Sequence, residues 1–158
     1  MTSRLQQLAA ELLPTTAIES LIHRCIEEDG GMQGDITTKS IIDDDTGAFD
    51  FVFRKEGILA GLEPIVRGVA AFSEIEFVQK EDDGAHVQNK VVATITGNLQ
   101  TILVLERTLL NLLSHASGIA TRTNIFVQSI EGTNCKICDT RKTTPGLRHP
   151  DKYAVACG

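Results

Sequence analysis

The chain has 158 residues and a formal charge of −6, length for one sizeable core or for one domain and part of another. That acidity argues against a long nucleic-acid footprint or an anionic membrane surface. No apolar run approaches a membrane span, Arg4 and Glu11 interrupt any signal-peptide core, and four cysteines without such a signal point to free thiols in a reducing cytoplasm.

Leu5, Leu8, Ala9, Leu12 and Leu13 share one face of an amphipathic helix over residues 3–13, which Pro14 ends. Thr16 with Glu19 three residues on resembles a capping box. Ile18, Leu21, Ile22, Cys25 and Ile26 then keep helical spacing until Gly30-Gly31. Cys25 reads as a core thiol and His23 as a surface imidazole. The loop from Glu28 to Asp35 is glycine-rich, but a phosphate cradle needs a strand before it and a helix after it. Here a helix precedes, which favours a plain turn with Asp35 as a cap. Asp43-Asp44-Asp45 lacks the alternating ligand spacing of a calcium loop and also reads as a turn.

Residues 46–54 alternate, with Phe49, Phe51 and Phe53 on one side and Asp50 and Arg54 on the other, which predicts a half-buried strand. A short strand at residues 58–60 follows, then a helix over 63–72 with Pro64 in its first turn. Ile75 and Phe77 mark another strand. Val91, Ala93 and Ile95 mark one more after a turn near Asp83-Gly84. Strands on one face and helices on the other predict an α+β layer.

Asn98 can cap a helix over residues 99–117 that is apolar nearly all round and therefore buried on several sides. Its one polar stripe is Arg107, Asn111, Ser114 and Gly118. An arginine on such a stripe needs an anionic partner, either a carboxylate of the fold or a ligand. Gly118 is expected to break the helix, with a second one over residues 120–130.

Cys135 to Cys138 is a short apolar run that reads as a strand. Two cysteines three apart on a strand face opposite ways, so neither a shared metal nor a disulfide fits them. The strand leads into Asp139-Thr140-Arg141-Lys142-Thr143-Thr144-Pro145-Gly146-Leu147-Arg148, where Pro145 and Gly146 force a turn. Two adjacent fixed cations at a strand end are suited to an anion, Arg by its bidentate fork and Lys as a point charge. Between Lys136 and Lys152 five cations face two anions, a local excess of +3 in an acidic chain. That suits a small anionic substrate better than a polymer. A last helix begins near His149-Pro150-Asp151.

Five stretches in register now stand out. They are Glu28-Asp29 with Gly34 to Thr38; Arg54 to Gly61; Glu106 to Leu113; Ser117 to Thr121; and Asp139 to Arg148 with Lys152 to Val155. Together they resemble quinolinate phosphoribosyltransferase, the carboxylating nicotinate-nucleotide pyrophosphorylase family of NAD biosynthesis. The resemblance implies an α+β N-terminal domain, an antiparallel sheet with helices, over about residues 1–115. It implies the beginning of an α/β barrel over 116–158, whose first strand is Asn134–Thr140. It further implies a cytoplasmic homodimer or higher oligomer that joins quinolinate to 5-phosphoribosyl-1-pyrophosphate, releasing pyrophosphate and CO₂ with Mg²⁺ present. Thr140, Arg141 and Lys142 match substrate-binding residues at the barrel mouth, with Lys142 catalytic. Arg107 matches an arginine that enters the neighbouring subunit's site. No metal ligand is identifiable, and neither nucleic acid nor membrane is an expected partner.

One departure is large. The family continues with a glycine run, a His-Arg pair, a further lysine and acidic residues, whereas this sequence ends at Gly158. A barrel holding a single strand cannot close, so the chain is expected to be an incomplete piece that alone makes no nicotinate mononucleotide. The alternatives are a related phosphoribosyltransferase-like protein associated with molybdate transport, or a non-catalytic dimerisation module using the apolar helix 99–117.

Overall fold

A computed structural model describes residues 4–30, 36–43 and 45–158. The proposed Asp35 cap lies outside them, as does Asp44 of the aspartate run. Among the described residues, six helices and five strands follow in chain order. Helix α1 is Arg4–Leu12 and α2 is Thr15–Gly30. Thr16 lies inside α2 rather than capping it, because the carbonyl of Pro14 already receives the amides of Ala17 and Ile18. A short α3, Ile36–Ile41, was not expected. Strand β1 is Thr46–Phe53, β2 Gly57–Ile58, α4 Leu62–Val69, β3 Ile75–Gln79, β4 His86–Val87 and β5 Lys90–Asn98. Helices α5, Leu99–Ser129, and α6, Arg148–Cys157, complete the chain.

The main sheet is antiparallel in the order β1-β5-β3, and β2 and β4 form a second antiparallel pair. Thr46 faces Asn98 and Phe51 faces Ala93, after which β5 carries one extra residue opposite β1. That irregularity lets the consecutive Val92 and Ala93 both be buried, where strict alternation would expose one of them. Phe51 is buried against Phe77 with ring centroids 5.2 Å apart, while Phe49 stays 40% exposed. The aromatic side of β1 is thus core only toward its C-terminal half.

Two junctions depend on particular residues. Gly97, at φ +138°, passes so close to the backbone of Glu74 and Ile75 that a Cβ there would collide with main chain. Asn98 then ends β5 and caps α5, its side chain accepting the Thr101 amide at 3.0 Å.

Helix α5 corrects the expected break at Gly118. It runs unbroken for 31 residues, about 46 Å at 1.5 Å per residue. A mid-helix glycine costs only about 1 kcal/mol, and Ala116, Ser117 and Ala120 beside it are buried against the fold. Their packing outweighs that penalty. The helix instead stops at Ile130, just before Gly132 takes φ +81°. Ile102, Leu105 and Leu109 of α5 join Ile22, Leu59, Leu62, Val92 and Ile95 in the core. Not all of α5 is covered, however: Leu110, Ile125, Phe126 and Val127 are 40–49% exposed.

The expected barrel strand Asn134–Thr140 has no strand structure, and residues 131–142 are exposed throughout. A strand of a parallel barrel is defined by hydrogen bonds to its neighbours, and among the described residues none lies beside this segment.

Candidate active site

The stretch 139–148 folds through its own turn chemistry. The amide of Lys142 donates to Thr140 Oγ1 at 3.0 Å, and the amide of Leu147 donates to the Thr144 carbonyl at 3.0 Å. Pro145 and Gly146, the latter at φ +80°, occupy the positions where a type II turn wants a fixed negative φ and a positive one. Arg141 and Lys142 are exposed, and among the described residues their side chains have no hydrogen-bond or ion-pair partner. Two neighbouring cations are therefore uncommitted.

Helix α6 ties this segment down. Lys152 Nζ reaches Asp139 Oδ2 at 2.7 Å. Asp151, buried in the first turn of α6, accepts the Thr144 amide on Oδ2 at 2.8 Å and lies 2.8 Å from His115 Nε2 through Oδ1. Tyr153 donates its hydroxyl to Asp83 Oδ2 at 2.7 Å. Asp83 also accepts the amides of Leu62 and Glu63, where α4 begins without a side-chain cap on Gly61. Burial pushes the Asp83 carboxyl above the usual carboxylate range despite those donors, and pushes the Tyr153 hydroxyl upward as well. Neither Asp83 nor Asp151 stood out in the sequence; one sits in a predicted turn and the other follows a helix-starting proline.

Arg107 finds the anionic partner expected of it in a carboxylate of the fold, but on an exposed face. Its side chain is 71% exposed, and its partner is Asp29 at the C-terminal end of α2, 2.6 Å away. The pair relieves a carboxylate that faces the negative end of a helix dipole. Exposed pairs of this kind contribute no more than about 1 kcal/mol, so a competing anion can displace Asp29. Arg107, Asn111 and His115 recur every fourth residue along α5 and line a groove of about 390 Å³ with Asp29 and Leu147, the residue that closes the 144–147 turn. The predicted polar stripe splits here. Ser114 and Gly118 line a separate, open cavity of about 590 Å³ beside Arg54, Lys55 and Arg122.

The cysteines are free, and their environments differ. Cys135 and Cys138 are exposed, whereas burial pushes the Cys157 thiol up to about 12 and raises that of Cys25 as well. Titration with a thiol reagent at pH 8 should modify Cys135 and Cys138 quickly, Cys25 slowly and Cys157 only on unfolding. Rapid labelling of Cys157 by mass spectrometry would contradict this packing of α6. Among the described residues no three His, Cys, Asp or Glu side chains converge as a metal site.

Comparison with known proteins gives a consistent picture. Residues 35–117 match the family described as "Quinolinate phosphoribosyl transferase, N-terminal domain", and residues 119–158 match the corresponding C-terminal domain. The two matches meet within α5. The chain is 38% identical over 143 residues to a probable nicotinate-nucleotide pyrophosphorylase [carboxylating] of Bacillus subtilis, covering 89% of this chain and 49% of that protein. It is 40% identical over 142 residues to the protein of the same name in Methanothermobacter thermautotrophicus, covering 87% and 50%. The solved structure of the nicotinate-nucleotide pyrophosphorylase of Francisella tularensis superposes with a TM-score of 0.83 at 34% identity, over 92% of this chain and 52% of that one. That of Ehrlichia chaffeensis gives 0.81 at 37%, over 88% and 52%. The chain spans about half the length of the curated relatives it matches.

Proposed function

Because this chain belongs to the quinolinate phosphoribosyl transferase family, we propose that it serves the transfer of phosphoribosyl from 5-phosphoribosyl-1-pyrophosphate to quinolinate, with loss of CO₂, in NAD biosynthesis. One observation carries the reading: within the matched segment, Arg141 and Lys142 are adjacent, exposed and, among the described residues, without protein partners. A pair of free cations is what a pyridine dicarboxylate or a pyrophosphate requires. Each charge-assisted hydrogen bond contributes about 1.5–3 kcal/mol. In this reading Thr140 and Arg141 bind substrate, and Lys142 binds it and neutralises the charge that develops as pyrophosphate leaves. Arg107 exchanges Asp29 for a ligand carboxylate or phosphate in the site of a neighbouring copy, so the working unit is at least a homodimer in the cytoplasm. Mg²⁺ would supply charge on the pyrophosphate side. The molybdate-associated alternative is not favoured, since the relatives quoted above carry the pyrophosphorylase name. A bare dimerisation module would have no reason to keep in this segment two cations that are unpaired among the described residues.

Calorimetric titration of the chain with quinolinate, and separately with nicotinate, tests the proposal. Quinolinate should bind saturably and nicotinate, lacking one carboxylate, at least about tenfold more weakly, the equivalent of 1.4 kcal/mol. Equal affinity, or silence toward both, would refute it.

A further inference from the structure

The N-terminal half of α6 sends three consecutive side chains, Asp151 to Tyr153, to three different parts of the molecule. Asp151 holds Thr144 and meets His115 of α5, Lys152 holds Asp139, and Tyr153 holds Asp83 of the N-terminal layer. Asp139 and Thr144 are the residues immediately before and after the segment Thr140 to Thr143 that carries Arg141 and Lys142. Within that segment the one hydrogen bond is Lys142 to Thr140, which sets local curvature but not placement against the rest of the fold. A first-turn carboxylate could serve its own helix, whose N-terminus has no side-chain cap. Asp151 instead commits both oxygens elsewhere while being only 8% exposed.

We propose that α6 is a positioning bracket. Asp151 and Lys152 clamp the two ends of the Thr140–Thr143 segment, Asp151 is itself steadied by His115, and Tyr153 anchors the helix to Asp83. The bracket holds Arg141 and Lys142 in the one orientation that receives a dianionic pyridine acid, so the ordering of the loop does not have to be supplied on binding. The inference rests on the quinolinate reading above. Asp151 and Lys152 touch no substrate and act through the loop.

The test uses the whole 158-residue chain and quinolinate as the probe. Lys152→Met removes a half-exposed tie and should leave the melting temperature near that of the wild type. Asp151→Ala removes the buried one, and acceleration of the Thr144 amide's hydrogen exchange reports its loss. Each variant is expected to weaken quinolinate about tenfold, and Lys152→Arg should restore the affinity. A merely structural role would lower the melting temperature and leave the affinity of the folded fraction unchanged. Wild-type affinity in Lys152→Met, or in folded Asp151→Ala with a fast Thr144 amide, overturns the bracket alone. A wild-type chain silent to quinolinate overturns the functional reading and with it the bracket's purpose. In that case Thr144 exchange still decides whether the tie exists.

Discussion

Replacing Arg141 with alanine should weaken quinolinate binding about a hundredfold. A bidentate arginine–carboxylate contact comprises two charge-assisted hydrogen bonds. Even the lower end of their range, about 1.5 kcal/mol each, gives a factor of that order at 1.4 kcal/mol per tenfold. Arg141→Lys should recover only part of the loss, because a point charge cannot reproduce the fork. Stability should not move, since the side chain is exposed and has no partner among the described residues. Calorimetry with far-UV circular dichroism on the same samples separates the two effects. An affinity within twofold of the wild type would remove Arg141 from the site.

The largest effect on stability is expected at Asp83. Alanine there strands three donors at once: the amides of Leu62 and Glu63 and the hydroxyl of Tyr153. Unpaired buried donors cost about 1–3 kcal/mol each, so even at the lower end Asp83→Ala should lose roughly 3 kcal/mol and release α6 from α4. The pH dependence follows from the raised carboxyl. The folded chain holds the Asp83 proton more tightly than the unfolded chain, whose value is near 3.8. Its contribution is therefore complete below 3.8 and declines as pH rises from there through the folded value. Denaturant titrations between pH 4 and 8 should show this decline in the wild type and not in Asp83→Asn. An Asp83→Ala chain of wild-type stability would contradict the assignment.

What was legible in the sequence was local. The Asn98 cap and the Pro145-Gly146 turn depend on neighbours a few residues away and were visible as such. The break expected at Gly118 does not occur because the burial of Ala116 and Ala120 outweighs a glycine's local penalty, and sequence periodicity does not measure that burial. The barrel strand Asn134–Thr140 failed for the converse reason: strand structure belongs to a pair of segments, and no partner lies beside this one among the described residues. Asp83 and Asp151 were unreadable because their partners are distant, Tyr153 by 70 positions and His115 by 36. Arg107 was half legible. Its need for an anion was correct, but its exposure depended on α5 being left uncovered along that face. The cationic segment around Arg141 and Lys142 is legible as an anion site from its adjacent charges and the local excess of +3, but its link to quinolinate comes from five short stretches in register, which is information about ancestry rather than about physics.

The shared site proposed above has Arg107 from one copy and Arg141 from another meeting at a single dianion, and mixing two crippled chains tests that directly. Arg107→Ala and Arg141→Ala are each expected to lose quinolinate binding when measured alone. Combined in equal amounts and allowed to exchange subunits, half the dimers carry both variants and each of these has one intact site, so about a quarter of the wild-type sites should return at wild-type affinity. A mixture as silent as its two components would contradict the shared site.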